Sequence, residues 1–186
     1  MVTVRPATPA DAPGVARVHD AALRTQGADR YSEAELDAMA PPDRDPAAID
    51  GAILAHEERY VAVAEADADG AGDGDGDEGG EAPRVVGVGG VHLADGRLLG
   101  VFVHPHRTGE GIGRALFEDI EARARAADLD ALTIHSALNA VGFYEAVGFE
   151  EVEGAGGTAA SDAGGPLGPY DTETTDIRAR VLRKEL

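Results

Sequence analysis

The chain of 186 residues contains no cysteine, so disulfide bonds, thiol catalysis and zinc–thiolate sites are excluded. No apolar run is long enough to span a membrane, and the first residues lack the basic-then-apolar order of a signal peptide. We therefore expect a cytoplasmic protein without membrane contact. The length suits a single domain over residues 1–186 with a substantial core.

Basic residues are also scarce. The chain has 35 acidic residues against 16 basic ones, Lys184 is its only lysine, and its formal net charge is -19. A nucleic-acid-binding protein would present a basic face, so this composition argues against nucleic acid as a partner. Heavy acid content with almost no lysine resembles halophilic proteins, in which concentrated salt screens the self-repulsion. The alternative interpretation is an acidic surface that attracts cationic substrates.

Residues 66–83 hold five aspartates, two glutamates, six glycines and no base. Such a segment cannot bury enough apolar area to offset its ordering entropy, so we predict a disordered hairpin loop. Its alternating Asp and Gly resemble the start of a calcium-binding loop. However, that pattern requires glycine where Glu78 stands and an acid where Arg84 stands, so we predict no calcium site.

Hydrophobic periodicity predicts seven strands and several helices. Helices are expected after Thr8, after Ser32, after Asp45, from Ile112 to about residue 127, and around Tyr144. Glycine-rich residues 154–168 are expected to form a loop. The strands are predicted near residues 2–6, 60–64, 85–93, 98–103, 131–135, 149–152 and 172–182.

Residues 98–116 combine a β-rich apolar run ended by Pro105, a turn containing Gly109, Gly111 and Gly113, and a helical pattern. Closely spaced glycines let the backbone approach a ligand, and the first-turn amides of the helix carry partial positive charge. This geometry suits a phosphate or pyrophosphate. The glycine spacing fits neither a dinucleotide fingerprint nor a nucleoside triphosphate loop. The alternative is that the glycines only permit a tight turn.

A second motif lies between residues 139 and 149. Asn139 is followed by Phe143-Tyr144 and then by Gly148-Phe149. Gly148 is expected to end a short helix in the left-handed conformation, after which the chain returns to a strand.

Together the two motifs resemble the GCN5-related N-acetyltransferase (GNAT) family. The coenzyme A pyrophosphate loop of that family reads Arg/Gln-x-x-Gly-x-Gly/Ala after a Val-x-Pro strand end, and Val103, Pro105, Gly111 and Gly113 match it in register. The basic or amide position of the motif falls on Thr108, and Arg107 lies one residue early. The resemblance implies an α/β fold with a mixed, mainly antiparallel sheet of six or seven strands, flanked by helices and splayed between the fourth and fifth strands.

The resemblance also implies acetyl-CoA as co-substrate, a primary amine as acceptor and no metal. The pantetheine arm would pair with the backbone of the fourth strand, and the amide of Phe102 or Val103 would face the acetyl carbonyl. A homodimer is left open. The residues expected to bind the coenzyme are Val101, Phe102, Val103, Thr108, Gly109, Gly111, Ile112, Gly113, Arg114 and Asn139, the last with helix capping as its alternative role.

Tyr144 is the predicted catalytic residue, acting as the general acid that protonates the leaving thiolate. A phenol with a reference pKa of ~10 stays protonated at neutral pH, and a coenzyme thiol resembles a free cysteine at ~8.5, so proton donation can accompany bond cleavage. The alternative is a core tyrosine with its hydroxyl at the surface.

The general base is not identified by the sequence. Many members of the family use a glutamate near the start of the fourth strand, where this chain has Arg97 or Leu98. A water-mediated base leaves His92, His104 and His135 as nearby imidazoles, with a packed core histidine as the alternative for His135. His104 and His106 lack a third ligand, so no metal site is predicted there.

The acceptor is not identified either. In this fold, acceptor choice comes from the regions that correspond here to residues 22–59 and 154–171, where Tyr31, Glu33 and Glu35 are candidates to meet an amine. Two further hypotheses stay open. One is a non-catalytic acyl-CoA-binding or partner-binding module on the same fold, and the other is an enzyme of another class that uses the glycine loop for a different phosphate ligand.

Overall fold

The computed structural model describes residues 1–42, 58–67, 84–153 and 178–186, and the backbone of residues 157–158. The helices are α1 (Ala12–Gln26), α2 (Glu33–Met39), α3 (Ile112–Ala126) and α4 (Val141–Ala146), with 3-10 turns at Pro9–Asp11 and Pro105–Arg107. The strands are β1 (Val2–Pro6), β2 (Arg59–Ala66), β3 (Arg84–His92), β4 (Arg97–Val103), β5 (Ala131–Ala137), β6 (Glu150–Glu151), β7 (Gly157–Thr158) and β8 (Arg178–Glu185).

The strands form one sheet in the order β1-β2-β3-β4-β5-β8-β6, with β7 also on β8. All pairs are antiparallel except β4 with β5, which run parallel. These two strands share a single register pair, Arg97 with Thr133, and the Thr133 amide donates to the Gly96 carbonyl at 3.0 Å. The two halves of the sheet therefore part beyond Arg97, which confirms the predicted mixed sheet and its splay.

Helices cover both faces of the sheet. On one face, α3 contacts both halves of the sheet through Leu116, Phe117 and Ile120, because apolar side chains recur along it at helical spacing. On the other face, α1 packs on β2 and β3, and α2 packs with the end of α1 near Ala179 of β8. The gap between β4 and β5 therefore has helices on both sides.

The predicted elements are confirmed within the described residues, with small differences in their bounds. Ala66, predicted to begin the disordered loop, is instead the last residue of β2, where it pairs with Val2. The strand predicted at residues 149–152 comprises only Glu150–Glu151, and β7 lies within the segment predicted as a loop. The last strand continues to Glu185. Outside the described residues lie the helix predicted after Asp45, residues 68–83 of the acidic loop, most of the loop at 154–168, and the start of the last predicted strand.

Candidate active site

The gap between β4 and β5 opens into a cavity with about 630 Å³ of empty space. Strands β4 and β5 and the last turns of α1 form its walls, and the turn before α4 and one side chain of α4 complete them. The lining residues are Ala22, Leu23, Gln26, Arg97, Leu98, Leu99, Gly100, Val101, Phe102, Ile134, His135, Ser136, Ala137, Asn139, Ala140 and Tyr144. We call it the gap cavity.

A β-bulge in β4 lies beside the gap cavity. Gly90 is opposite Gly100 and Val91 is opposite Leu98, so Leu99 is the extra residue of the bulge. Gly100 has a φ of 110°, a conformation that L side chains rarely adopt. The bulge shifts the register of the β4 backbone just where the strand separates from β5.

Beyond the bulge, β4 directs alternate backbone groups into the gap. The His104 amide donates to the Val86 carbonyl of β3, so by antiparallel alternation the Phe102 amide also faces β3, and Val101 and Val103 face the gap. The side chain of Gln26 confirms this direction, because its Nε2 donates to the Val103 carbonyl at 3.3 Å. Of the two amides expected to meet the acetyl carbonyl, that of Val103 is directed into the gap and that of Phe102 is directed towards β3.

Tyr144 reaches the gap from α4. Its ring is buried, with 3% of the residue exposed, and packs edge-on against Phe143 and Phe149 at 5.1 and 5.6 Å between centroids. Its hydroxyl accepts a hydrogen bond from the Val101 amide at 3.1 Å. The core packing therefore fixes the ring, and the hydroxyl lies against the β4 backbone in the gap cavity rather than at the surface.

A second cavity, with about 990 Å³ of empty space, adjoins the first between the glycine turn and α4. We call it the loop cavity. Nine of the ten residues predicted to bind coenzyme line it, and the tenth, Phe102, lines the gap cavity. Its lining residues are Gln26, Val101, Val103, Thr108, Gly109, Gly111, Ile112, Gly113, Arg114, Asn139, Ala140, Phe143, Ala146 and Val147.

The glycine turn presents bare backbone to the loop cavity. Gly109 and Gly111 have φ values of 83° and 81°, and a Cβ built on either would meet no protein atom within 4 Å. The first helical hydrogen bond of α3 runs from the Ala115 amide to the Gly111 carbonyl at 3.0 Å. The amides of the first turn therefore have no acceptor within the helix, and this donor set suits a pyrophosphate.

The two side chains that depart from the family motif are held locally. The Arg107 Nε donates to both carboxylate oxygens of Glu110 at 2.8 and 2.9 Å, and the Thr108 hydroxyl donates to the Pro105 carbonyl at 2.9 Å. With these two side chains engaged, the donors that the turn leaves open are mainly backbone amides.

Asn139 is exposed in the turn before α4 and lines both cavities. The N-cap residue of α4 is Ala140, which has no side chain that could form a capping hydrogen bond. Asn139 therefore does not cap this helix.

The histidines occupy different environments. His135 is half-buried and lines the gap cavity, whereas His92 on β3 lies near Asp95 at 3.2 Å and Glu58 at 3.6 Å. The rings of His104 and His106 are 5.4 Å apart in an edge-on arrangement. Among the residues that the structure describes, no three His, Cys, Asp or Glu side chains are grouped as metal ligands.

Tyr31 and Glu35, expected to meet an amine, are engaged within the fold. The Tyr31 hydroxyl donates to the Arg178 carbonyl at 2.7 Å and accepts from the Leu138 amide at 2.8 Å, and burial raises its pKa. Glu35 accepts from the Ser32 amide and hydroxyl, both at 2.8 Å, and these bonds lower its pKa. Glu33 is exposed in the first turn of α2.

Sequence reasoning missed Gln26, which lines both cavities. It lies in the last turn of α1, where the sequence offers no signal for a contact 77 positions away along the chain. Sequence reasoning also missed that the charged side chains lining the cavities are positive. Among the described residues that line them, Arg97 and Arg114 carry charge and none is Asp or Glu, although the whole chain carries -19.

None of the helices in the described ranges is long and apolar enough to cross a bilayer.

Comparison with known proteins agrees with this geometry. Residues 80–160 match a family model described as an acetyltransferase (GNAT) domain. No curated protein matches the chain. Among solved structures, a GCN5-related N-acetyltransferase from Rhodopseudomonas palustris is 24% identical with a TM-score of 0.74, covering 99% of this chain and 95% of that one.

Two further structures share the fold at lower identity. The PaiA N-acetyltransferase of Thermoplasma acidophilum, solved with coenzyme A, is 15% identical with a TM-score of 0.69, covering 100% of this chain and 99% of that one. A GCN5-related N-acetyltransferase from Kribbella flavida is 18% identical with a TM-score of 0.62, covering 100% and 98%.

Proposed function

We propose that this chain, which belongs to the GNAT acetyltransferase family through residues 80–160, transfers an acetyl group from acetyl-CoA to a primary amine. The observation that carries the proposal is the Tyr144 hydroxyl, held 3.1 Å from the Val101 amide where β4 and β5 separate. A hydroxyl, backbone amides and a cavity lie there together, which is what acyl transfer requires.

The residues present fit the coenzyme. The bare backbone at Gly109 and Gly111 and the first-turn amides of α3 would hold the pyrophosphate, with Arg114 adding positive charge beside it. The gap-facing carbonyl of Val101 would accept a hydrogen bond from the pantetheine arm, which would lie along β4 as an added strand does. Asn139 lies between the two cavities, beside the expected path of the arm.

Bound acetyl-CoA supplies the thioester. Direct attack of the amine on its carbonyl carbon forms a C–N bond and breaks the C–S bond. One proton must leave the nitrogen and one must reach the sulfur. The Val103 amide, directed into the gap, would donate to the oxygen that gains charge in the transition state. Tyr144 would donate the proton to the sulfur and regain one from solvent.

The test is thiol release from acetyl-CoA in molar salt with a panel of amines, comparing wild type with Tyr144→Phe. Loss of a general acid lowers turnover about 10²- to 10⁴-fold, whereas coenzyme A binding measured by calorimetry should change little. Tyr60→Phe is the matched control, because it removes a phenolic hydroxyl that lines neither cavity and donates instead to Asp119 at 2.6 Å.

Other outcomes would favour the remaining hypotheses. Coenzyme A binding without thiol release for any amine would favour the non-catalytic acyl-CoA-binding module. Binding of ATP or NAD in place of coenzyme A would favour a different class of enzyme.

A further inference from the structure

The gap cavity contains few groups that can exchange protons. Among its described lining residues, only Arg97, His135 and Tyr144 carry titratable side chains. A guanidinium stays protonated at physiological pH, and a phenol has a reference pKa of ~10, so neither accepts a proton readily near neutrality. An imidazole has a reference pKa of ~6.5 and is the side chain that most often acts as a general base.

His135 and Tyr144 lie on opposite faces of the sheet. Tyr144 belongs to the core formed with Leu132 and Ile134 of β5, on the α3 face. Side chains alternate along a strand, so His135 lies on the other face of β5, beside Ala137, which packs against the α1–α2 cluster.

The coenzyme and the acceptor would likewise approach the gap from different sides. The loop cavity, predicted to hold the coenzyme, is formed by the glycine turn, α3 and α4, so the thioester would enter the gap from that side. The α1 side of the gap, lined by Ala22 and Leu23, is then left for the acceptor. A base for the amine is needed on the acceptor side and an acid for the sulfur on the coenzyme side.

We propose that His135 is the general base that removes the proton from the acceptor nitrogen, directly or through one water, while Tyr144 donates to the sulfur. The proposal rests on the transferase function proposed above. The imidazole gains one proton as the C–N bond forms, the phenol loses one as the C–S bond breaks, and solvent restores both groups. Arg97 lines the same cavity from β4, but its guanidinium stays protonated and cannot accept the proton.

Within the part of the chain that the structure describes, the charged groups around His135 come from two strands. Arg97 of β4 lines the same cavity, and Arg183 of β8, opposite Thr133, is a diagonal neighbour whose Nε donates to Glu185 at 2.8 Å. From α1, the lining residues Ala22, Leu23 and Gln26 carry no charge, and α4 contributes the Tyr144 phenol from the opposite face.

The test compares two probe nucleophiles, methylamine and hydroxylamine, by thiol release from acetyl-CoA. Methylamine is mostly protonated near neutral pH and needs a base, whereas hydroxylamine is already neutral. His135→Gln should lower kcat/KM for methylamine about 10²- to 10³-fold and affect hydroxylamine about threefold or less. The wild-type pH profile for methylamine should show an inflection that the variant lacks, and the variant should follow only the free-amine fraction.

Two histidines of the same chain provide controls. His92→Gln removes a strand histidine that does not line either cavity, and His106→Gln removes an exposed one, and both should retain the wild-type profile. Coenzyme A binding by His135→Gln, measured by calorimetry, verifies that the variant is folded. The wild-type profile remains a measurement that does not depend on any variant.

Several results would overturn the assignment. One is a His135→Gln variant whose rate and pH profile with methylamine match those of the wild type. Another is a wild-type profile that has no inflection. A third is an inflection that disappears in His92→Gln and not in His135→Gln. Each would leave the transferase function intact. Wild-type protein that releases no thiol with either nucleophile would overturn both proposals together.

Discussion

Replacing Gly111 by alanine tests whether the glycine turn holds the coenzyme through its backbone. Gly111 is the N-cap of α3 with a φ of 81°, and a Cβ there would meet no protein atom within 4 Å. The substitution therefore causes no steric overlap inside the protein. Its added methyl group would instead project into the open space where an anion would contact the first-turn amides.

The expected effect has two separate parts. A left-handed conformation costs a non-glycine residue about 1–2 kcal/mol, so Tm should fall by a few degrees, about 2–4 °C for each kcal/mol in a domain of this size. A hydrogen bond to a charged group contributes about 1.5–3 kcal/mol. Loss of one such bond to the pyrophosphate should weaken coenzyme A binding about 10- to 100-fold.

The matched control is Gly148→Ala. Gly148 also has a positive φ, 96°, but it follows α4 and lines neither cavity, and its Cβ would approach only the flexible end of Lys184, at 3.3 Å. Calorimetric titration with coenzyme A and thermal unfolding should show similar losses of stability in both variants and a loss of affinity only in Gly111→Ala. Equal affinities in the two variants would refute the reasoning.

Two further predictions concern stability. Tyr31→Phe should lower the free energy of unfolding by about 1–3 kcal/mol in a urea titration, because the Arg178 carbonyl and the Leu138 amide both lose a partner; an unchanged midpoint would contradict this. Hydrogen bonding to Arg5 depresses the pKa of Asp11, so its contribution is present above the unfolded pKa of ~3.9 and is lost as pH falls through the lower folded pKa. Asp11→Asn should therefore lower the free energy of unfolding at neutral pH by about 1–3 kcal/mol, a range that allows for solvent screening of the partly exposed Arg5. The variant's free energy of unfolding should also fall less steeply as the pH is lowered. A fall as steep as that of the wild type would show that another group is responsible.

The glycine turn could be predicted from the sequence because the information is local. A strand that ends at Val103, glycines that permit positive φ, and a helix that begins at Ile112 all lie within ten residues. Each feature has a direct physical meaning at its own position, so the glycine turn and the strands beside it agree with expectation. The position of Tyr144 follows from the same kind of pattern, a short helix ended by Gly148.

What the sequence did not predict depends on pairings between distant segments. The register of β4 against β3 decides which amide faces the gap, and the bulge at Leu99 is part of that register, so Phe102 and Val103 could not be distinguished beforehand. The approach of Gln26 to β4 likewise depends on how α1 crosses the sheet. A single sequence specifies such contacts only through the complete fold.

The parting of β4 from β5 connects the fold to the proposed chemistry. Unpaired backbone groups in a half-buried gap carry a desolvation penalty unless other groups bind them. Here the Tyr144 hydroxyl binds the Val101 amide, and the Gln26 side chain binds the Val103 carbonyl. The other two backbone groups of these residues, the Val101 carbonyl and the Val103 amide, also face the gap. The Val101 carbonyl could thus accept a hydrogen bond from an amide of the pantetheine arm, while the Val103 amide is left for the oxygen of the thioester. The tyrosine that supports the open strand is also the proposed acid, so the same contact both stabilises the gap and positions its chemistry.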